Sequence, residues 1–236
     1  KELEEPGQLQ LRMLPKNMPQ SPHLEIDAYM KPATEVAGDY YDFHQSDNGV
    51  LTVVVGDATG HGLKAGTVVT AMKSLFRTFA GEGHLSLVFN RSSRGLKEMN
   101  LRSLFMGLTM IKLDGARLRI ASAGMPPALV YRAEKGLVEE MVIKAPPLGG
   151  ISGYQYRELE YALSHGDVLV LMSDGFPERF NQDGEMFDYP RARRSLAEAA
   201  SRRPSEIIEH FVRAGDYWAN GRPQNDDITF VVLKVK

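Results

Sequence analysis

Residues Val53–Gly66 read VVVGDATGHGLKAG. Three successive valines suit a strand buried on both faces, and the run stops at Gly56-Asp57. Gly60, Gly62 and Gly66 follow, with His61 among them, before apolar positions resume at helical spacing. A plain turn needs only Asn-Gly or Asp-Gly. Here a carboxylate ends a buried strand, and the chain beyond it is free to take unusual dihedrals and to admit a close neighbour. The stretch therefore predicts a strand, a loop that something approaches, and a helix.

Working outward, GVLTVVVGD (49–57) reads as a central strand. From Leu63 to Phe79 the positions Val68, Val69, Met72, Leu75 and Phe76 trace one helical face, and a shorter helix is expected over Leu85–Lys97. Hairpin signals follow. SLFMGLTMIKLDGARLRIASAG turns at Asp114-Gly115, and ALVYR with LVEEMVI turns around Lys135-Gly136. YRELEYAL and DVLVLMSDG read as another strand pair. Helices over Tyr189–Ala200 and Pro204–Trp218 precede a last strand, DITFVVLKVK. Towards the N-terminus, HLEIDAYM alternates as a strand does, after a loop marked by Pro15, Pro19 and Pro22. Leu3, Leu9, Leu11 and Met13 suggest a short helix within Lys1–Leu14. Blocks of hairpins interrupted by blocks of helix predict antiparallel sheets covered by helices. The expected class is α+β: a four-layer αββα sandwich of two antiparallel sheets flanked by helix pairs.

Bulk composition excludes several classes. The chain has 236 residues, 43% hydrophobic and 25% charged, with a net charge of -2. That suits one large domain and gives no charge excess for nucleic acid or an anionic membrane. No apolar run approaches the ~20 residues of a membrane span. Cysteine is absent, which removes disulfides, thiolate zinc sites and cysteine nucleophiles, and fits a reducing cytoplasm. A start at Lys1 rather than Met reads as a piece of a longer protein.

The carboxylates at strand ends point to chemistry. Asp39 in VAGDYYDF, Asp57, Asp174 in VLMSDGFPE, and Asp226 with Asp227 in QNDDITFVV each lie where a strand starts or stops, beside glycine or another Asp. Strand ends of a sandwich can meet on one rim, where several carboxylates repel unless cations lie between them. Such an all-oxygen donor set suits magnesium or manganese. Two such ions hold a phosphoryl oxygen and lower the pKa of a shared water. Taken singly, SDG is a turn, NDD an edge loop and His61 a solvated loop residue. Rival phosphoryl-transfer classes fail on the residues. None of the six histidines follows an Asn, as a calcineurin-like site requires, although GDYYDF echoes its Gly-Asp-x-x-Asp box. No DxD nucleophile follows a strand, and Gly62-Leu63-Lys64-Ala65 is not a P-loop.

LQLRMLP, EVAGDYYDF, VVGDATGHGLKAG, RLRIASAGMPPALVYR, PLGG, GDVLVLMSDGFPE and NDDITFVVL occur in this order. Their order resembles the bacterial SpoIIE/RsbU-type metal-dependent protein serine/threonine phosphatases of the PPM superfamily. The resemblance implies two manganese or magnesium ions and a water activated by both. Asp57 would bridge the ions and the Ala58 carbonyl would bind one of them. Asp174 and Asp226 would complete one ion's ligands, Asp39 would approach the other, and Asp227 would support its neighbour. His61 is a further catalytic candidate, two positions later than the histidine of eukaryotic relatives. Ala37-Gly38 stands where the family has two glycines, and Ala123-Gly124-Met125 where it has Ala-Gly-His. Residues 1–19 would be a linker or regulatory helix and 20–236 the phosphatase domain. The implied substrate is a phosphorylated STAS-type anti-sigma-factor antagonist in the cytoplasm. An upstream sensor domain and a homodimer through the N-terminal helix are also implied, without nucleic-acid binding or membrane insertion. The alternative is a catalytically weak phosphatase fold that serves as a binding module.

Overall fold

A computed structural model describes residues 4–101 and 103–236. In chain order the elements begin α1 (Glu4–Met13), β1 (Leu24–Lys31), β2 (Asp39–Gln45), β3 (Leu51–Ala58), α2 (Leu63–Phe79) and α3 (Leu85–Glu98). Next come β4 (Met106–Asp114), β5 (Arg117–Ala123), β6 (Ala128–Arg132), β7 (Leu137–Met141), β8 (Leu159–Ala162) and β9 (Val168–Met172). The last are α4 (Tyr189–Ala199), α5 (Pro204–Ala219) and β10 (Ile228–Val235). Leu3, part of the expected N-terminal helix pattern, lies outside the described residues. Among the described residues no helix is long and apolar enough to cross a membrane.

The chain forms two compact units. The first comprises Thr34–Met125 and Ile143–Ala162 with the N-terminal residues up to Pro19. Its antiparallel sheet runs β2-β3-β4-β5-β8. The valines of β3 are wholly buried, as a strand with neighbours on both sides requires. On α2, Val68, Val69, Met72 and Phe76 form the buried stripe, and Leu85, Val88, Phe89 and Leu96 do the same on α3. Each such side chain contributes roughly 1.5–3 kcal/mol when fully buried. Polar groups finish both helices. Lys112 Nζ, buried in the sheet, donates to Ala80 O at the end of α2 (2.6 Å) and to Thr52 Oγ1 (3.0 Å). The Glu158 carboxylate accepts from the Leu85 N–H (2.5 Å) and satisfies the free start of α3.

The second unit comprises Gln20–Ala33, Pro126–Val142 and Leu163–Lys236, with sheet order β1-β10-β9-β6-β7. Its core is aromatic. Phe176 lies 4.7 Å from Phe187, 5.4 Å from Phe211 and 5.0 Å from Phe230, centroid to centroid. Asp188 caps α4 through the Tyr189 N–H, and Pro204 opens α5, where a missing N–H costs nothing.

The α+β class and the two antiparallel sheets, each with a helix pair, agree with the sequence reading, and helices α2 to α5 start and stop within a residue of expectation. Two local readings need correction. YRELEYAL and DVLVLMSDG are not paired: β8 joins β5 in the first sheet, whereas β9 lies between β10 and β6 in the second. The turn between them is spent on other partners, since Gly166 N–H and the Val235 N–H tie it to the end of β10. The other correction is β2, a strand hidden by its polar letters DYYDFHQ, which pairs along its length with β3.

Candidate metal centre

In the first unit two acids stand face to face where β2 starts and β3 ends. Asp39 starts β2 and stands directly opposite Asp57 in the β2–β3 register. Like charges in cross-strand pairs repel, so this placement calls for a counter-charge. Asp39 is buried and Asp57 half-buried. The Ala58 N–H donates to Gly38 O (2.9 Å), which folds the end of β3 back over the start of β2. A Cβ on Gly38 would stand 3.0 Å from Ala58 O, 3.3 Å from Asp57 Oδ1 and 3.4 Å from Gly60 O. Three oxygens thus face one bare backbone position, so a side chain there would fill the space they share. Thr59 anchors the loop: its N–H and its hydroxyl both reach Phe105 O (2.9 Å each). His61 is exposed between Gly60 and Gly62. Met125 places its sulfur 3.0 Å from where a Cβ on Gly107 would sit, so the methionine is accommodated because residue 107 is glycine.

The residue before Gly38 is held from outside the sheet. Gln10 of α1 is buried, and its amide makes both bonds of a backbone-like pair with Ala37. Nε2 donates to Ala37 O (2.6 Å) and Oε1 accepts the Ala37 N–H (2.8 Å). Beside this contact lies an apolar cavity of ≈ 440 Å³ lined by Leu9, Met13, Val36 and Leu63.

In the second unit Asp174 follows β9, and Asp226-Asp227 precede β10. The sequences SDG and NDD meet because Ser173 N–H donates to Thr229 O (3.1 Å) and Ser173 Oγ accepts the Thr229 N–H (3.0 Å). Gly175 lies so near Asp227 O that a Cβ would collide with that carbonyl. Asp227 is buried and its Oδ1 accepts the Ala33 N–H (2.7 Å), so it braces the loop, while Asp226 is exposed. Burial first, then the charges of Asp226, Glu178 and Asp227, push the Asp174 carboxyl up to about 6. Although Asp226 is exposed as a residue, partial desolvation of its carboxyl raises it, against the Asp227 N–H that donates to it (2.8 Å). Burial, then Glu178 and Asp174, push the Tyr189 phenol up to about 12.

Glu178 is thus a fourth acid in this field, and sequence reasoning missed it. It is one turn beyond Asp174, its N–H bonded to Asp174 O (2.8 Å), but it flanks no strand end.

The donor chemistry fits a hard divalent cation: carboxylates and a peptide carbonyl, with Asp174 and Asp226 raised first by burial and then by neighbouring acids. Among the described residues no group of three or more His, Asp and Glu side chains is drawn together closely enough to hold a metal ion.

The sequence model of the family described as "Stage II sporulation protein E (SpoIIE)" matches residues 47–236. The chain is 26% identical, over its whole length, to "Phosphoserine phosphatase RsbU" of Bacillus subtilis and covers 70% of that protein. It spans only 41% and 53% of two further curated relatives. Among solved structures, the SiaA-PP2C domain of Pseudomonas aeruginosa superposes with a TM-score of 0.86 at 22% identity, covering 100% of this chain and 95% of that one. RsbX in complex with magnesium superposes with a TM-score of 0.70 at 17% identity, covering 93% and 99%. These likenesses show a shared fold.

Proposed function

The chain belongs to the SpoIIE family of PP2C-type protein serine/threonine phosphatases, and from that premise we propose that it hydrolyses phosphoserine or phosphothreonine on a regulatory protein with the help of two magnesium or manganese ions. The crowding of acids around Asp174 carries the reading: a carboxyl raised to about 6 by burial and three acidic neighbours would be favoured by a cation beside it. In this proposal Asp57 bridges the ions and the Ala58 carbonyl contributes to one of them. Asp174 and Asp226 hold one ion, Asp39 serves the other, and Asp227 braces Asp226 without binding metal. RsbX, which shares the fold, is described in complex with magnesium.

When bound, the ions would lower the pKa of a water and draw charge from the phosphoryl group. The chain's part is to gather acids at strand ends, leave Gly38 bare so that phosphate can approach, and keep its own side chains out of covalent chemistry. The proposal takes direct attack by water as the route: the chain has no cysteine, and no side chain is assigned as a nucleophile. His61, exposed in the loop, is the candidate proton donor to the leaving group.

The substrate we propose is a phosphorylated STAS-type anti-sigma-factor antagonist in the cytoplasm, with residues 20–236 acting as the phosphatase domain. Residues 1–19 would connect to an upstream sensor and pair in a homodimer. The Gln10–Ala37 bonds support a regulatory role, because they join α1 to the backbone one residue from Gly38. The absence of a ready-made three-acid cluster among the described residues favours one rival, a fold kept for binding alone. Hydrolysis of an aryl phosphate and of a phosphoserine STAS protein, with manganese and with chelator, tests both. Manganese-dependent turnover supports the proposal, and none under any metal supports the rival. Fusing a dimeric coiled coil ahead of α1 in successive registers tests the N-terminal role, since equal rates in every register would make that segment a linker.

A further inference from the structure

The second acid of GDYYDF has no part in the metal reading, yet it is among the most completely buried charges in the chain. The Asp42 side chain has no exposure to solvent. Its Oδ2 accepts from Lys73 Nζ (2.7 Å) and the Tyr40 hydroxyl (3.0 Å). Its Oδ1 accepts from Arg77 Nη2 (2.5 Å) and the Phe43 N–H (2.8 Å).

Side chains alternate along β2, so Tyr40 and Asp42 share the face turned to α2, and Asp39 lies on the other. Asp42 therefore meets the helix and not the acid opposite Asp57.

An ion pair is a poor choice if the need is only to hold a helix on a sheet, because well-packed apolar residues do that at least as well. What the pairs add is geometry. Lys73 and Arg77 are one helical turn apart, and two ties to one carboxylate restrict both sliding and rotation of α2, where one tie would leave a pivot. Nearer its N-terminus α2 is held again: a Cβ on Gly66 would stand 2.7 Å from Val36 Cγ1. Between that contact and β3 lies only the Thr59–Gly62 loop, whose first anchor is Ala58 N–H on Gly38 O. The α2 end of that loop therefore depends on how α2 sits on β2, while Thr59 holds the other end on Phe105.

We propose that Asp42, acting through Lys73 and Arg77, is a positioning residue for the phosphatase reaction: it fixes α2 on β2 and thereby sets where the Ala58 carbonyl and the Asp57–Gly62 loop stand. The proposal rests on the reading of Asp57 and Ala58 as metal ligands. Asp42 touches neither substrate nor metal, and its effect is exerted through the helix.

The test measures manganese affinity by calorimetry, melting temperature, and kcat with KM at saturating manganese. The proteins are wild type, Asp42→Asn, Lys73→Met, Arg77→Lys, Asp57→Asn and Glu158→Gln. Second-layer supports of metal ligands are worth about 10–100-fold in affinity, and Asp42→Asn and Lys73→Met should weaken manganese by that factor. Saturating metal should restore most of kcat in both. Arg77→Lys keeps a cation and should stay within about threefold of wild type, a rescue that fits the geometric role. Glu158→Gln loosens the start of α3 in the same unit, so it should lower the melting temperature and leave manganese affinity alone. If Asp42→Asn does not fold, Lys73→Met and Arg77→Lys carry the test, because their charged ends reach solvent. Lys73→Met that melts lower but binds manganese like wild type would show a purely structural clamp and overturn the proposal. Wild-type protein that binds no manganese, or Asp57→Asn that binds it equally well, overturns the metal reading and the clamp proposal with it. That failure is seen in different proteins from the clamp's own.

Discussion

The two units hold their acids by different means. In the second, Asp174 is followed by Gly175 and then by Phe176, whose ring is locked among Phe187, Phe211 and Phe230. That mooring is apolar and dense, and it holds Asp174 in a field that resists its ionisation. In the first, the backbone beside Asp39 is held by hydrogen bonds from Gln10, and α2 is held by ion pairs on Asp42. The cations of the Asp42 pairs reach solvent at their outer ends, whereas the interlocked rings do not. The difference teaches that the acids of the second unit are set once, at folding, while those of the first are open to adjustment.

Four outcomes would break or sharpen this contrast. The largest concerns Asp57→Asn. Loss of metal-held transition-state charge is worth several kcal/mol, so kcat should fall by about 10³-fold or more with the fold intact. Activity within a few fold of wild type would remove Asp57 from the assigned role. Next, Phe176→Ala should cost about 3–5 kcal/mol of stability and unfold the second unit cooperatively. A denaturant midpoint close to wild type would mean that the ring cluster is not the mooring described.

A smaller effect is expected at Gln10→Ala. Two hydrogen bonds to backbone are worth roughly 1–3 kcal/mol together, an order of magnitude in the docking equilibrium of α1. Amide exchange at Ala37 should quicken and manganese affinity should drop, while the global midpoint barely moves. Unchanged exchange at Ala37 would contradict an adjustable mooring.

The smallest effect is a pH dependence. The Asp174 carboxyl is raised from 3.8 to about 6 in the folded chain. Between those values the folded state keeps a proton that the unfolded state has lost, so metal-free stability falls as pH rises through this window. Solvent access to the group limits the effect to on the order of 1 kcal/mol, a few degrees of melting temperature. In chelator, wild type should lose more than Asp174→Asn between pH 5 and pH 7, and manganese should erase the difference. Parallel curves for the two proteins would show that Asp174 is not strained.

Much of this was legible in the sequence, for a physical reason: strands buried on both faces leave unbroken apolar runs, and β3, β9 and β10 are such runs. The acids stood out because each lies at a strand end beside glycine or another Asp. β2 did not, because Asp42 looks solvated and its counter-charges, Lys73 and Arg77, come from a helix distant in the chain. The Gln10–Ala37 pair was equally hidden, since a lone glutamine carries no sign of a partner 27 residues away. The true neighbours of β8 and β9 depend on long-range register, which local alternation does not encode.

The register of β1 with β10 has a consequence for how the protein comes into being. Leu24 pairs with Val235 and Lys31 with Ile228, so an edge strand made early on the ribosome finds its neighbour only when the last strand has been made. Meanwhile β2, β3, β4 and β5 adjoin one another in synthesis order and can pair as they appear. A nascent chain would thus carry a nearly finished first unit beside an unpartnered β1, exposed to chaperones and to other strands. Asp226 and Asp227 lie just ahead of β10, so the same late event that closes the sheet brings these two acids into place. A ribosome stalled before it would hold a chain with much of its fold and without one acid of the proposed metal centre.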